Sequence, residues 1–92
     1  MQVGDVVELK VPCMGNMPGT KGVVYDTYQD FDNPFLKGVC VIFKNGEYSG
    51  FSFDEQMKML TYLYTTPLFY DFKNVMQLSR DFDSGLFNDI FE

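Results

Sequence analysis

The stretch VCVIFKNGEYSGF, residues 39–51, carries the strongest structural signal in the chain. Asn45-Gly46 stands between two apolar runs, and this dipeptide tolerates positive φ at both central positions of a type I′ turn. The stretch therefore predicts a tight β-hairpin, with one strand from about Val39 to Lys44 and its partner from about Glu47 to Phe51.

Two further strands are predicted before this hairpin. In VGDVVELKV, residues 3–11, apolar and charged side chains alternate from Val7 to Val11, which is typical of a strand with one buried face. TKGVVYDTY, residues 20–28, is rich in the β-branched and aromatic types that suit a pleated surface. Between them, PCMGNMPG holds the glycine, asparagine and proline residues of a loop with several turns.

A short helix is predicted directly after the hairpin. Ser52 and Glu55 have the spacing of a capping box, and they open the helix candidate FDEQMKMLTYL. Pro67 prevents the helix from continuing. Four apolar residues would share one face of this helix: Phe53, Met57, Leu60 and Tyr64.

A fifth strand completes the predicted fold. Alternation from Phe72 to Leu78 favours a strand, although Phe72, Val75 and Met76 also fit a helix. Five short strands with one brief helix between the fourth and fifth predict a mainly β protein. We expect a closed or nearly closed antiparallel barrel, because closure removes the exposed edges that invite aggregation.

Several short motifs resemble the SH3-like small barrels of KOW type. They correspond to the Gly-Asp pair that opens strand one of that family, to its Gly-x-x-Gly-x-Val turn, and to its Phe-x-x-Val-x-x-Leu closing strand. The matching residues are Gly4, Asp5, Gly19, Gly22, Val24, Phe72, Val75 and Leu78. The resemblance implies a five-stranded SH3-like barrel over residues 1–80, followed by an acidic amphipathic tail over residues 81–92.

The net charge of this chain argues against the usual partners of that family, which are RNA and the ribosomal and transcription machinery. Thirteen acidic and seven basic residues leave a net charge of −6, which repels phosphate backbones and anionic membranes. The loop that is basic in the family contains only Lys21 here. We therefore expect neither nucleic acid nor membrane as a direct partner.

The cysteines and the N-terminus indicate a cytoplasmic protein. Cys13 and Cys40 belong to no CxxC pair, which fits reduced thiols, although a single disulfide is an alternative. MQVGDVVELK lacks the basic flank and apolar region of a secretion signal, and no apolar stretch approaches the ~20 residues that span a bilayer.

Residue types that carry catalysis are scarce, so we expect no enzymatic activity. The chain has no histidine, which removes the usual general base and the commonest metal ligand. Nothing indicates a cofactor, because no phosphate-binding loop, dinucleotide fingerprint or zinc spacing is present. Read as an EF-hand loop, DFDSGLFNDIFE has Gly85 at the fifth ligand position and Leu86 at the turning glycine, so we expect no metal.

The C-terminal tail predicts a short amphipathic helix. Leu86, Phe87, Ile90 and Phe91 fall at helical spacing, with Asp83 or Ser84 as the cap. A helix this short is marginal alone in water, so its apolar face must pack on something. It either covers the chain's own barrel or inserts Phe87 and Phe91 into a groove on a partner or on a second copy.

Aromatic residues cluster around the connection between strands two and three. Tyr28, Phe31 and Phe35 lie there beside Asp30 and Asp32, and Tyr48 begins strand four. Rings with nearby carboxylates suit a cationic or proline-rich ligand. The alternative is that Phe31 and Phe35 anchor a long loop to the barrel.

These observations favour a small binding module. We predict that it recognises a protein or peptide, favoured to be basic, through Tyr28, Phe31, Phe35, Tyr48, Phe87 and Phe91. The alternative hypothesis is an inhibitor of the kind encoded by phages and mobile elements, which blocks a host nucleic-acid enzyme with an acidic surface.

Overall fold

The computed structural model describes residues 1–29, 32 and 37–91 of the chain. Its strands are β1 (Asp5–Leu9), β2 (Lys21–Gln29), β3 (Lys37–Phe43), β4 (Tyr48–Ser52) and β5 (Leu60–Thr65). Its helices are α1 (Phe53–Met59), which lies between β4 and β5, then α2 (Val75–Asp83) and α3 (Asn88–Phe91). This order confirms the predicted mainly β fold, with one short helix before the fifth strand and a helical C-terminal end.

The strands form one antiparallel sheet in the order β4-β3-β2-β1-β5. Within the described residues the two edge strands, β4 and β5, do not pair with each other, so the predicted closure of the sheet is wrong. Helix α1 packs against β3, β4 and β5 instead. The chain therefore links its two edges through a helix and not through a fifth row of backbone hydrogen bonds between strands.

The Asn45-Gly46 hairpin joins β3 to β4 as predicted, but its turn differs from the predicted type I′. Of the two residues only Gly46 has a positive φ, at 90°. Gly46 donates its N–H to the Phe43 carbonyl at 2.8 Å, and Phe43 donates to the Glu47 carbonyl at 2.8 Å. The turn is thus one residue longer, with the glycine in the left-handed region where a bulge requires it.

Both faces of β1 are buried, which corrects the prediction of a single buried face. Val6 and Val7 are neighbours, so their side chains point to opposite faces of the sheet. Both are 0% exposed. The apolar–charged alternation from Val7 to Val11 therefore describes only one face of β1. The C-terminal segment covers the other face, on which Val6 lies.

Two apolar clusters lie on the two faces. Every strand contributes to the first, the strand core, so the sheet curves around it. The second, the tail core, joins the sheet to the C-terminal segment. The strand core consists of Val7, Leu9, Val24, Val39, Val41, Phe43, Phe51 and Leu60. The tail core consists of Val6, Val23, Tyr25, Ile42, Leu78, Phe87, Ile90 and Phe91.

Helix α1 is shorter than predicted. Its capping box is confirmed, because Glu55 donates its N–H to the Ser52 hydroxyl at 3.3 Å and Ser52 donates its N–H to the Glu55 carboxylate at 3.0 Å. The helix ends at Met59, and Leu60 is already extended. Leu60 and Tyr64, predicted on the helix, lie on β5, because the β-prone run LTYLYT pairs with β1.

The strand predicted from Phe72 to Leu78 is wrong. Asn74 caps a helix there, accepting the Gln77 N–H on its side chain at 2.8 Å, and α2 follows from Val75. The helical alternative for this stretch is the one that the structure adopts. Leu78 is buried in the tail core, which gives α2 the apolar contact that a short helix needs.

The segment before α2 is tied to the helices by tyrosine hydroxyls. Tyr70 donates to the Asp81 carboxylate at 2.6 Å, and Tyr64 of β5 donates to the Ile90 carbonyl at 3.3 Å. Burial and the hydrogen bond to Asp81 raise the pKa of Tyr70 well above its usual range. These contacts hold α2 and α3 in place over the tail core.

Two further observations concern the cysteines and the membrane. Cys13 and Cys40 are both free thiols. In the parts of the chain described above, none of the helices combines the length and the apolar character that crossing a bilayer requires.

Candidate binding surface

Tyr28 lies flat across two glycines of neighbouring strands. It stands opposite Gly38 in the β2–β3 register, and Gly50 is on the next strand, β4. A Cβ added to Gly38 would overlap the ring and hydroxyl of Tyr28, and one added to Gly50 would lie 3.5 Å from Tyr28 Cε1. The ring thus rests on bare backbone, and Tyr28 remains 39% exposed. We call this arrangement the Tyr28 platform.

The glycines explain why the platform forms. Glycine weakens a strand interior, and it often marks a site where another group approaches the backbone closely. Gly38 reads in the sequence as a turn residue after NPFLK, yet it is the second residue of β3. The spacing of Gly38 and Gly50 on either side of the hairpin is the sequence signal that could have located the platform.

Tyr48 lies on the same face of the sheet as Tyr28. Cross-strand partners share a face, and Tyr48 pairs with Ile42 while Tyr28 pairs with Gly38. Positions 38 and 42 are four residues apart on β3, so their side-chain directions agree. Tyr28 and Tyr48 are exposed to nearly the same extent. The structure therefore brings two of the six predicted site residues to one face.

The other four predicted residues are placed differently. Phe87 and Phe91 are buried in the tail core, where Phe82 and Tyr70 contact Phe87. Their contacts are therefore with this chain, and binding to a partner through them stays a prediction. Phe31 and Phe35 lie outside the described residues.

Helix α1 adds exposed apolar side chains to this surface. The sequence predicts Phe53 and Met57 on one apolar face of the helix, and in the structure each is 65% exposed. The buried residue of α1 is instead Gln56, which donates its side-chain N–H to the Phe51 carbonyl at 3.1 Å. This anchor turns the apolar side chains outward.

A groove runs from the Tyr28 platform along α1. Its first part has a volume of about 480 Å³ and is walled by Tyr28, Lys37 and Phe53, among others. Its second part, about 410 Å³, shares Phe53 and extends to Met57 and Tyr62. We call the two parts together the α1 groove. An open groove lined by aromatic rings and a methionine side chain suits an extended peptide segment better than a small molecule, which would need an enclosed pocket.

Charge is distributed unevenly around the α1 groove. Burial, and then the negative charge of Glu55, raise the pKa of Tyr28. Hydrogen bonds from Ser52 lower the pKa of Glu55, so this carboxylate is ionised at neutral pH. A carboxylate beside an exposed ring favours a cationic group there. The charged side chains in the groove lining itself are basic, with Lys37 in the first part and Lys10 in the second, so the negative charge is confined to the Tyr28 end near Glu55.

Cys40 lies on the same face but is not an activated thiol. Burial raises its pKa and so does the nearby Asp26, although a hydrogen bond with Tyr25 lowers it. Because the thiolate is the nucleophilic form, a raised pKa makes the thiol unreactive. In the described part of the chain, moreover, no cluster of cysteine and carboxylate side chains could hold a metal ion.

A double-mutant cycle tests the Tyr28 platform. We expect Gly38→Ala to destabilise the wild-type protein by about 1 kcal/mol, because the new methyl group displaces the ring. In a Tyr28→Ala background the same change should be neutral or slightly stabilising, since alanine restricts the unfolded chain more than glycine does. Urea unfolding of the four proteins measures the coupling. Equal effects of Gly38→Ala in both backgrounds would contradict the platform.

Comparisons with known proteins find no counterpart: no family model, no curated protein and no solved structure matches the chain.

Proposed function

We propose that this chain is a non-enzymatic binding module that recognises a segment of a protein or peptide in the α1 groove. The observation that carries the proposal is the Tyr28 platform beside Phe53, a ring fixed on backbone next to an apolar side chain that is 65% exposed. Large apolar side chains that remain exposed around a concave surface are typical of interaction sites.

Preorganisation supports this proposal. Binding loses affinity when side chains must be ordered, at roughly 0.5–1.5 kcal/mol for each flexible one. Tyr28 is already held by Gly38 and Gly50, and α1 is held by its capping box and by the buried Gln56. Aromatic anchors of this kind often carry most of the energy of an interface.

The fold-level resemblance supports the same proposal. SH3-like folds bind peptides on aromatic faces near the loops between their strands. The five-stranded antiparallel order with a short helix between β4 and β5 is compatible with such a fold. We therefore extend the resemblance to the mode of recognition, with α1 as one wall and Tyr28 as the other.

The charges around Tyr28 indicate the chemistry of the partner. An ionised Glu55 beside the exposed ring favours a lysine or arginine of the partner on Tyr28, where a cation–π contact contributes about 0.5–1 kcal/mol. Phe53 and Met57 favour apolar side chains in the rest of the segment. The overall net charge of −6 also favours a partner with basic residues.

Selection from a random peptide library displayed on phage tests the proposal. We expect enriched peptides to combine a basic residue with apolar ones, and to lose at least tenfold in affinity for Phe53→Ala, because the anchor at the centre of the groove is gone. Affinities are measured by isothermal titration calorimetry. The matched control is Phe69→Ala, which also removes an exposed phenylalanine but lies outside the α1 groove.

Two further variants examine the cationic end with the same peptides. Glu55→Gln preserves the capping-box geometry while removing the charge, so it should weaken peptides with a basic residue only. Tyr28→Phe keeps the ring face and should retain binding. The proposal is overturned if no peptide is enriched, or if Phe69→Ala weakens binding as much as Phe53→Ala.

A further inference from the structure

A second surface stands out because it carries no charge. Residues 59–70, MLTYLYTTPLFY, contain no acidic or basic side chain, whereas 22% of the whole chain is charged. The segment contains β5 and the turn that follows it. Most of it reaches the surface, since Thr61, Tyr62, Tyr64 and Thr65 of β5 are all exposed, whereas Leu60 is buried.

Strand β5 is an edge strand without the usual protection. It pairs with β1 on one side, and no strand in residues 1–29, 32 or 37–91 pairs with its other side. Edge strands are normally blunted by charged residues, especially lysine, or by proline within the strand. A bulge opposite Val6 and Val7 is the only such feature in β5, whose residues are threonine, tyrosine and leucine. Helix α1 also packs against β5, so the part of this uncharged edge that α1 leaves uncovered is available to another surface.

Phe69 follows this strand and is the most exposed large apolar residue of the described chain, at 97%. Beside it is a groove of about 580 Å³, lined by Val3 and by residues 65–71, among others. Asp71 is the one charged residue of that lining. The exposed ring of Phe69 thus lies next to an apolar groove that is formed largely by residues 65–71 of the same segment.

We propose that a second copy of this chain docks on this surface, and that each Phe69 inserts into the groove beside Thr65 and Leu68 of the other copy. Because a two-fold interface places the same patch on both subunits, a ring and a groove on one segment are sufficient to complement each other. Burying a phenylalanine that is now almost fully exposed removes roughly 150–250 Å² of its surface from water.

Charge explains where a second copy can bind. Each copy carries a net charge of −6, so two copies repel wherever their charged faces meet. Residues 59–70 form a long uncharged stretch, with Asp71 at its end, at which this repulsion is weakest. This interface is distinct from the α1 groove, so it does not depend on the proposed peptide function.

Sedimentation velocity over a wide range of protein concentrations tests this inference. We expect the wild-type protein to shift from monomer to dimer as its concentration rises, and Phe69→Ser to raise the dimer dissociation constant at least tenfold. Because Phe69 makes so little contact within the monomer, the variant should keep the wild-type unfolding free energy in dilute solution. Phe53→Ser is the matched control and should dimerise as the wild type does.

A second variant probes the edge itself. Thr61→Lys places a charge on the uncharged edge of β5, opposite Glu8 of β1, where the monomer tolerates it. It should also weaken the dimer. The inference is overturned if the wild-type protein stays monomeric at every concentration, or if Phe53→Ser weakens the dimer as much as Phe69→Ser does.

Discussion

Replacing Phe87 by alanine is expected to lower the free energy of unfolding by about 3–5 kcal/mol, the usual cost of removing a fully buried phenylalanine. Phe87 is 1% exposed, and its ring centroid lies 5.4 Å from that of Tyr70 and 6.4 Å from that of Phe82. The truncation leaves a cavity between the sheet and α3. Urea unfolding followed by far-UV circular dichroism measures the loss.

The neighbouring residue provides the matched control. Leu86 is 49% exposed, so Leu86→Ala should change the unfolding free energy by no more than about 0.5–1 kcal/mol. The comparison separates the two readings of the C-terminal segment that the sequence left open. If Phe87→Ala were as mild as Leu86→Ala, the tail would not be part of this chain's own core, and docking on a partner would be the better explanation.

Gly22→Ala is expected to destabilise the fold by about 1–3 kcal/mol, because the strand core has no room for one more methyl group. Gly22 lies in β2 between Val7 of β1 and Phe43 of β3. A Cβ there would be 2.6 Å from Val41 Cγ1, 2.8 Å from Phe43 Cδ1 and 3.1 Å from the Ile42 carbonyl oxygen. Val41 and Phe43 are both 0% exposed, so they have little space into which they can move.

Gly50→Ala is the control for this change. Gly50 is also a strand glycine without positive φ, but the nearest atom to its added Cβ is Tyr28 Cε1, at an ordinary contact distance of 3.5 Å. We expect its unfolding free energy to equal or slightly exceed that of the wild type. Chemical denaturation measures the unfolding free energy of both variants. If Gly50→Ala were destabilised and Gly22→Ala were neutral, the tight packing assigned to Gly22 in the strand core would be contradicted.

Together, Phe87→Ala and Gly22→Ala test whether the stability of this small protein depends on the packing at both faces of its sheet. Phe87 belongs to the tail core and Gly22 borders the strand core. A chain of 92 residues buries a limited share of its surface, so the loss of either cluster removes a large part of a net stability of about 5–15 kcal/mol. The C-terminal helices therefore belong to the hydrophobic core together with the strands.

The elements that the sequence predicts correctly depend on local signals. Asn45-Gly46 positions the hairpin and Ser52 with Glu55 starts α1, because each signal acts within about four residues. The strands β1 and β2 follow from runs of β-prone residues in the same way. Even here the details required the structure, since the hairpin uses one left-handed residue and not two.

The binding surface was only partly predictable. Tyr28 and Tyr48 were found because aromatic residues near a loop are a recognisable pattern, and the structure places them on one face. The sequence predicts that Phe53 and Met57 share one face of α1 but not that this face points outward, because a helix of seven residues gives too little periodicity to tell its inner face from its outer one. The buried Gln56, which decides that orientation, has no sequence signal of its own.

Four strands, the capped start of α1 and the acidic composition without histidine can be read from the amino-acid sequence, because they follow from local geometry and residue counts. Long-range packing was needed to make LTYLYT a strand, to make residues 75–83 a helix and to turn Phe87 inward. The relative sizes of the energies explain this division. Helix and strand preferences differ by up to about 1 kcal/mol per residue, whereas burying one large side chain against β1 or the tail core contributes about 1.5–3 kcal/mol.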